Sequence, residues 1–369
     1  MKVKSLNDFL CKIGCIDKNQ KIYIWGVCVY GDMLGKLLNG KEIPWHGYFD
    51  NFNKVEGGRL NDKPVYKGSE LNGLENAFYI LSMRNYEDVQ KQLLENGIND
   101  ECILYFENAK ILDDIGESLT ECAVSTKQLK RLYHIHKGDK CFIVGNGPSL
   151  LIEDLEMIHK YNIISFASNL IFRCYQKTQW RPDYYFFTDG VGIRETFRDP
   201  SILSYVSKNC KYMFSRNNGN LQEYSENAKN LLLFKYVFSE SQQNFDFSKD
   251  CSEKIYIGYS VTYAMIQMAV YMGFRKIYLL GMDHNFSMEK SANGTIVKNE
   301  GIENHSKLLG DYALWGIPDL MQSTKAYMSA REYTDLHGIK IYNATRGGKL
   351  EVFERVNLDL LFQGSKNEL

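Results

Sequence analysis

The sequence is short of several things at once. It lacks net charge: 44 Lys and Arg stand against 45 Asp and Glu, a formal balance of -1. With no global basic field to steer a polyanion, nucleic acid is not an expected partner. It lacks long apolar runs: no stretch approaches the roughly 18 uninterrupted apolar residues of a membrane helix. The start, Met1 to Asp8, has no apolar core of a secretory signal. Cysteines number nine, an odd count, and none form a CxxC pair, since Cys11 and Cys15 stand four apart and the others farther. A disulfide framework or zinc ribbon is therefore not expected, and the thiols read mostly as buried groups in a reducing cytoplasm. No Asp-x-Asp pair and no GxxxxGK[ST] occurs, which removes the usual metal-diphosphate clamp and the Walker-type NTPases. The 6 prolines, beside a surplus of Tyr, Asn, Lys and Ile, read as genomic bias and carry no weight for function.

What is present is ordinary globular material, 44% hydrophobic and 24% charged, in 369 residues. That length suits two α/β domains of roughly 100–200 residues each. Lys21–Gly26, His46–Asp50, Ala77–Leu81 and Cys102–Phe106 read as strands, separated by helical stretches at Gly31–Leu38 and Tyr86–Asn96. Alternation of this kind predicts a parallel, doubly wound sheet. A second series follows: strands at Lys140–Val144, Ile163–Ala167, Tyr184–Thr188, Lys211–Phe214, Lys276–Leu280 and Lys340–Tyr342, with helices at Val261–Met272 and Asp319–His337. The expected layout is a small Rossmann-like domain over 1–115, a helical connector over 116–138, and a larger α/β domain over 139–369. No internal repeat or low-complexity segment appears.

Two glycine loops follow strands. Gly26-Val-Cys-Val-Tyr-Gly31 has the look of a Rossmann turn, and Asp50 closes the next strand near a ribose-binding position. Cys28, however, stands where glycine would admit a pyrophosphate, so this domain reads as Rossmann-like without its dinucleotide. Gly145-Asn146-Gly147-Pro148-Ser149 is the stronger loop. Its glycines permit a sharp turn and close approach of a ligand. Ser149 is placed at a helix N-cap, where amides and the helix dipole favour phosphate, and Pro148 suits a first turn. Leu150 replaces the third glycine of the dinucleotide fingerprint, and a plain strand-to-helix turn remains an open alternative.

Four stretches of the second domain occur in a familiar order: Phe142-Ile-Val-Gly-Asn-Gly-Pro-Ser-Leu150, Gly258-Tyr-Ser-Val-Thr-Tyr-Ala264, Met272-Gly-Phe-Arg-Lys-Ile-Tyr-Leu-Leu-Gly-Met-Asp-His284 and Ile341-Tyr-Asn-Ala-Thr-Arg-Gly-Gly-Lys-Leu-Glu-Val-Phe-Glu-Arg355. Together they resemble the MptE-like domain of motility-accessory-factor glycosyltransferases and of archaeal 6-hydroxymethylpterin pyrophosphokinase-like proteins. The loop and Gly281-Met-Asp283 are also similar to Campylobacter-type bacterial sialyltransferases. The resemblance implies a modified GT-A-like fold using a CMP-activated nonulosonic sugar as donor substrate, with no other cofactor. It places Gly145, Asn146, Gly147, Pro148, Ser149, Asn169, Asp189, Ser260, Gly281 and Asp283 around the nucleotide.

The residues alone agree on location. Ser149, Asn169, Asp189 and Asp283 each follow a predicted parallel strand, and in open α/β sheets ligands bind outside those carboxyl ends. Ordinary caps and turns are the alternative account of the same residues. A CMP-sugar carries one phosphate, so helix dipoles and hydrogen bonds would replace a metal. No metal is therefore expected, although Asp283 beside His284 is a conceivable contact. Transfer needs a base for the acceptor hydroxyl, and among seven histidines His305 and His284 are the candidates. His305 lies in an Asn-His-Ser segment similar to one that carries the base in the sialyltransferases. Tyr312 is a candidate donor to the leaving phosphate. Asn343, Thr345 and Arg346 are read as acceptor or donor contacts, with Lys349 as a further cation.

The expectation is a cytoplasmic glycosyltransferase acting on a glycan or protein acceptor. It has no nucleic-acid partner and no membrane span, and both peripheral association and homo-oligomerisation are left open. An ATP-dependent pyrophosphokinase and a non-catalytic nucleotide-binding scaffold are the alternatives.

Overall fold

A computed structural model describes the chain apart from residues 18, 52–57, 72–73, 75, 84–85, 108–110, 113–124, 190–192, 194–198, 217–227, 240–244, 291–295, 311–316 and 364–369. The chain forms two compact units, Met1–Cys122 and Ala123–Leu369. Both are α/β bodies built on mainly parallel sheets, the expected fold class.

The first unit runs β1 (Lys2–Val3), α1 (Leu6–Gly14), β2 (Ile22–Trp25), α2 (Val29–Gly40), β3 (Gly47–Asp50), β4 (Arg59–Leu60), β5 (Lys63–Lys67), β6 (Phe78–Leu81), α3 (Glu87–Glu95) and β7 (Ile103–Phe106). The sheet order is β1-β7-β6-β2-β3-β5-β4, parallel except for the short β4–β5 pair. Period-2 alternation explains why the central strands read as continuous apolar runs. Ile22, Ile24, Tyr48, Phe78 and Ile80 enter one core, whereas Tyr23, Trp25, Phe49, Tyr79 and Leu81 enter the other.

The Gly26 loop is filled by its own neighbours. Gly26 has φ +115°, and a Cβ there would meet Ser82 Oγ at 2.4 Å. Ser82 Oγ lies 2.8 Å from the Trp25 carbonyl and 3.0 Å from that of Gly26. Val27 N–H donates to Asp50 Oδ2 at 2.7 Å, and Cys28 Sγ lies 3.2 Å from the Ser82 carbonyl. Asp50, read near a ribose position, is 8% exposed and spends its carboxylate on the turn itself.

The second unit opens with α4 (Thr126–Lys130), whose Leu129, with Leu132 just beyond it, joins the core of that unit. The described part of the stretch read as a connector is thus built into this unit. Next come β8 (Lys140–Val144), α5 (Ile152–Lys160), β9 (Ser165–Ser168), β10 (Tyr184–Phe187), α6 (Pro200–Lys208), β11 (Tyr212–Arg216) and β12 (Leu231–Phe234). They are followed by β13 (Tyr236–Val237), β14 (Ile255–Tyr256), α7 (Val261–Tyr271), β15 (Lys276–Leu280), β16 (Met288–Lys290), β17 (Ile296–Lys298), α8 (Leu320–Leu336), β18 (Lys340–Asn343), β19 (Glu354–Arg355) and α9 (Leu358–Gln363). The eight-stranded sheet has the order β12-β11-β10-β9-β8-β15-β18-β19, parallel throughout.

Its two faces are both buried. Cys141, Ile143, Phe166, Phe186, Ile277 and Leu279 face one core; Phe142, Val144, Ala167, Phe187, Tyr278 and Leu280 face the other. The helix α7 is apolar nearly all round because it packs between the sheet and α8. Cys141, Cys174 and Cys251 are buried thiols, but Cys11 and Cys15, read with them, are exposed. Among the described residues no helix is long and apolar enough to cross a membrane.

Candidate functional site

The chain leaves β8 for β9 on one side, then returns to place β15 on the other. That reversal makes the carboxyl ends of β8 and β15 the switch point of the sheet, where side elements diverge and leave a crevice. A cavity of about 350 Å³ lies there. Its floor is Gly145–Gly147 after β8 and Gly281–Asp283 after β15. Its walls come from Asn169 after β9, Asp189 after β10, the first turn of α7, and the first two turns of α8.

The glycines are required by packing. Gly145 N–H donates to Leu280 O at 2.7 Å and Gly147 N–H to Gly281 O at 2.9 Å, continuing the β8–β15 ladder past its end. A Cβ on Gly145 would sit 2.5 Å from Gly281 O, and one on Gly147 would sit 1.9 Å from Asp283 Oδ2. Ser149 donates from Oγ to Asp283 Oδ2 at 2.8 Å, and its N–H faces both carboxylate oxygens at 3.3 and 3.4 Å.

This corrects the phosphate-cradle reading of the loop. Helix α5 begins at Ile152, with Leu151 at the N-cap and its N–H donating to Asp154. Ser149 and Pro148 lie in a preceding turn and do not line the cavity. Three amides of the loop are already engaged by strand β15 and Asp283. Burial pushes the Asp283 carboxyl above its ordinary range, and the Ser149 hydrogen bonds pull it partly back.

The opposite wall is better suited to an anion. Ser260 caps α7, accepting from Thr262 N–H at 3.2 Å while Tyr327 Oη donates to its Oγ at 2.9 Å. The first turn of an eleven-residue helix therefore faces the cavity with its dipole positive end. No Lys or Arg is among the described lining residues.

Three non-glycine residues with positive φ line this one cavity: Asn169 at +57°, Tyr259 at +56° and His284 at +51°. Such conformations cost free energy and collect where the surroundings impose them, commonly at functional sites.

Both candidate histidines reach the cavity. His305 is held by its neighbours: Ser306 N–H donates to Asn146 O at 2.8 Å, Ser306 Oγ donates to Leu150 O at 3.0 Å, and Asn304 exchanges two 2.8 Å hydrogen bonds with Ser287. Burial drives its imidazole down to about 4, so it is neutral at pH 7. His284 is also lowered by burial, against a small opposing pull from Glu289. Its Nε2 lies 2.8 Å from Thr324 Oγ1, which itself donates to Leu320 O at 2.7 Å. Because the threonine proton is committed to Leu320, His284 donates from Nε2, and Nδ1 carries the lone pair.

The remaining expectations separate. Asn343 donates to Leu350 O at 2.7 Å and accepts from Thr345 N–H at 3.0 Å, and Thr345 Oγ1 accepts from Met282 N–H at 3.0 Å. These two residues brace the Gly281–Asp283 turn from behind. Arg346 lies outside the cavity lining, its Nη1 donating to both carboxylate oxygens of buried Asp154 at 2.6 and 2.7 Å and its Nη2 to Asp359 at 2.9 Å. Tyr312 falls outside the described residues. Sequence reasoning missed Asn285, Tyr259, Ser323 and Tyr327, all lining the cavity. Asn285 stands two residues beyond Asp283, so the strand-end rule pointed to its neighbourhood. Among the described residues no group of three or more His, Cys, Asp or Glu is gathered as for a metal ion.

A family model described as 6-hydroxymethylpterin diphosphokinase MptE-like matches residues 114–289, just under half of the chain. The MptE-like resemblance of that segment is thereby shown. A solved structure described as MAf glycosyltransferase from Magnetospirillum magneticum AMB-1 aligns at 13% identity and a TM-score of 0.39, covering 92% of this chain. This chain spans 58% of that one, and a likeness so distant carries no inference about activity. No curated protein matches the sequence.

Proposed function

We propose that the second unit is a cytoplasmic glycosyltransferase that moves a nonulosonic, sialic-acid-like sugar from a CMP donor to a hydroxyl of a surface glycan or glycoprotein acceptor. The observation that carries the reading is the pairing, in one cavity at the sheet's switch point, of two neutral imidazoles with a helix N-terminus. His305 or His284 takes the acceptor hydroxyl proton. The oxygen attacks the anomeric carbon, the bond from that carbon to the phosphate oxygen breaks, and CMP leaves with the electron pair, inverting the centre. The first turn of α7 stabilises the departing phosphate. A single phosphate suits described walls that hold carboxylates and no cation.

The description of the matched family favours a second reading, transfer of diphosphate from ATP to a pterin alcohol. That reaction would call on Mg²⁺, for which Asp189 and Asp283 are the carboxylates at hand. Calorimetry separates the two: the proposal expects CMP to bind in the low-millimolar range or tighter. ATP binding that requires Mg²⁺, with no CMP or CDP binding, overturns it. Nucleotide binding without donor hydrolysis or transfer would instead mark a non-catalytic scaffold.

A further inference from the structure

Asn285 stands out in the cavity. Its Oδ1 is sealed from solvent and has no hydrogen-bond partner among the described residues, and the residue lines the cavity directly. Asn146, across the switch point, repeats the feature. Its Nδ2 donates to Ser168 O at 3.2 Å, which fixes the amide orientation and leaves Oδ1 buried without a partner among the described residues. A buried amide oxygen left unpaired is destabilising, so native chains hold few of them, and each calls for a reason. Two in one cavity share a reason most simply.

Both oxygens are pure acceptors, and the cavity is lined by two further acceptor groups, the carboxylates of Asp189 and Asp283. Phosphate and carboxylate oxygens are acceptors too, so the anionic part of a ligand gains nothing from this wall. A neutral N–H or O–H donor does. We propose that Asn285 is a specificity residue whose Oδ1, with Asn146 Oδ1 alongside, reads a hydrogen-bond donor on the nucleoside part of the ligand. The donor is an exocyclic base amine or a ribose hydroxyl. The anion then lies toward the first turn of α7 and the nucleoside toward the two amide oxygens. The inference deepens the nucleotide-donor reading and rests on it for the class of ligand.

The test uses the full-length protein and defined nucleotides. CMP, UMP and 2′-deoxy-CMP are titrated into wild type, Asn285→Leu and Asn285→Ala, with melting curves of each protein free of ligand. UMP lacks the amine and 2′-deoxy-CMP lacks one hydroxyl, so the two analogues distinguish the donor. Wild type should prefer CMP over one analogue by about 5- to 150-fold, the range of one buried hydrogen bond. In Asn285→Leu that preference should fall to near unity. The same substitution should leave the ligand-free melting temperature unchanged or raised, because it removes an unpaired buried oxygen. A structural asparagine would show the reverse. Asn285→Ala guards against a clash of the leucine side chain.

Three further outcomes decide the matter. CMP binding with the preference intact in both variants overturns the role of Asn285 and leaves the CMP-donor reading standing. If only ATP binds, the same comparison among ATP, ITP and 2′-deoxy-ATP applies; loss of discrimination there upholds Asn285 while the CMP-donor reading falls. If no nucleotide of either series binds, the inference falls with the reading beneath it.

Discussion

Replacing Gly147 with alanine probes how the cavity floor is made. The new Cβ would lie 1.9 Å from Asp283 Oδ2 and 2.7 Å from both Asp283 Cγ and the Gly281 carbonyl oxygen. Neither neighbour yields cheaply. The carboxylate is held by Ser149 Oγ at 2.8 Å, and the Gly281 oxygen is backbone that accepts Gly147 N–H at 2.9 Å. Overpacking costs about 1–3 kcal/mol, and a loosened hydrogen bond to a charged group adds about 1.5–3, partly the same movement counted twice. A loss of about 2–4 kcal/mol, at about 2–4 °C per kcal/mol for a unit of this size, lowers the melting temperature by roughly 5–15 °C. Scanning calorimetry reads the melting, and nucleotide titration reads the cavity, which should bind at least tenfold more weakly by the order of one lost polar contact. Gly14→Ala is the control: nothing lies within 4 Å of its Cβ, so that variant should be neutral or stabilised by up to about 1 kcal/mol. A Gly147→Ala protein that melts and binds as the wild type does would refute the packing argument.

Other perturbations follow from the same geometry. Burial lowers His305 from 6.5 to about 4, so the folded chain resists its protonation: the stability this confers is complete above pH 6.5 and is lost as pH falls toward 4. His305→Asn should flatten the melting temperature between those pH values, and if His305 is the base the acid limb of kcat/KM should lie near 4. Thr324→Val removes the acceptor of His284 Nε2–H and should shift the imidazole ¹⁵N resonances toward a mixed tautomer, whereas Thr324→Ser should not. If His284 is the base, kcat should fall about tenfold with KM unchanged, a part of the roughly 10²–10⁴ that a positioned base supplies. Arg346→Met strands the carboxylate of Asp154, which is 2% exposed, and should cost about 2–3 kcal/mol by denaturant titration, below the 3–5 of a fully buried pair because the guanidinium is one-third exposed.

The parts of this fold that sequence exposed are those governed by short-range rules. Runs such as Tyr184–Phe187 and Lys276–Leu280 are apolar at successive positions because both faces of a parallel strand are covered, and they read as buried strands at once. Asn169, Asp189 and Asp283 each follow such a strand and line the cavity, the location that the strand-end rule expects of them. The errors have the opposite character. Ser149 looked like an N-cap by composition, but its partner is Asp283, 134 residues away. Arg346 looked like a ligand-binding cation, but Asp154, 192 residues away, holds it. Strand β12, an apolar run of the same kind, was not read, and neither was the cavity face of α8, where Ser323 and Tyr327 reach the cavity from a helix whose mixed surface gives no sharp apolar stripe.

The electrostatics of the cavity bear on when the chemistry is permitted. An imidazole at about 4 is a weak base, and nothing in the described lining supplies a permanent cation to hold an anion beside it. These two facts act together once an anionic donor is present. A negative charge brought near a buried imidazole favours its protonated form and raises its pKa toward the working range, the more so where water is excluded. The donor would thus strengthen the base that completes the reaction. Without it, the same histidine stays neutral near pH 7 and, at about 4, is only a weak acceptor for a hydroxyl proton. A site arranged this way would couple proton transfer to occupancy and would need no moving part to do so. On that reading a helix end serves better than lysine or arginine as the anion's anchor, because a fixed cation beside His305 would hold its pKa low even with the donor bound.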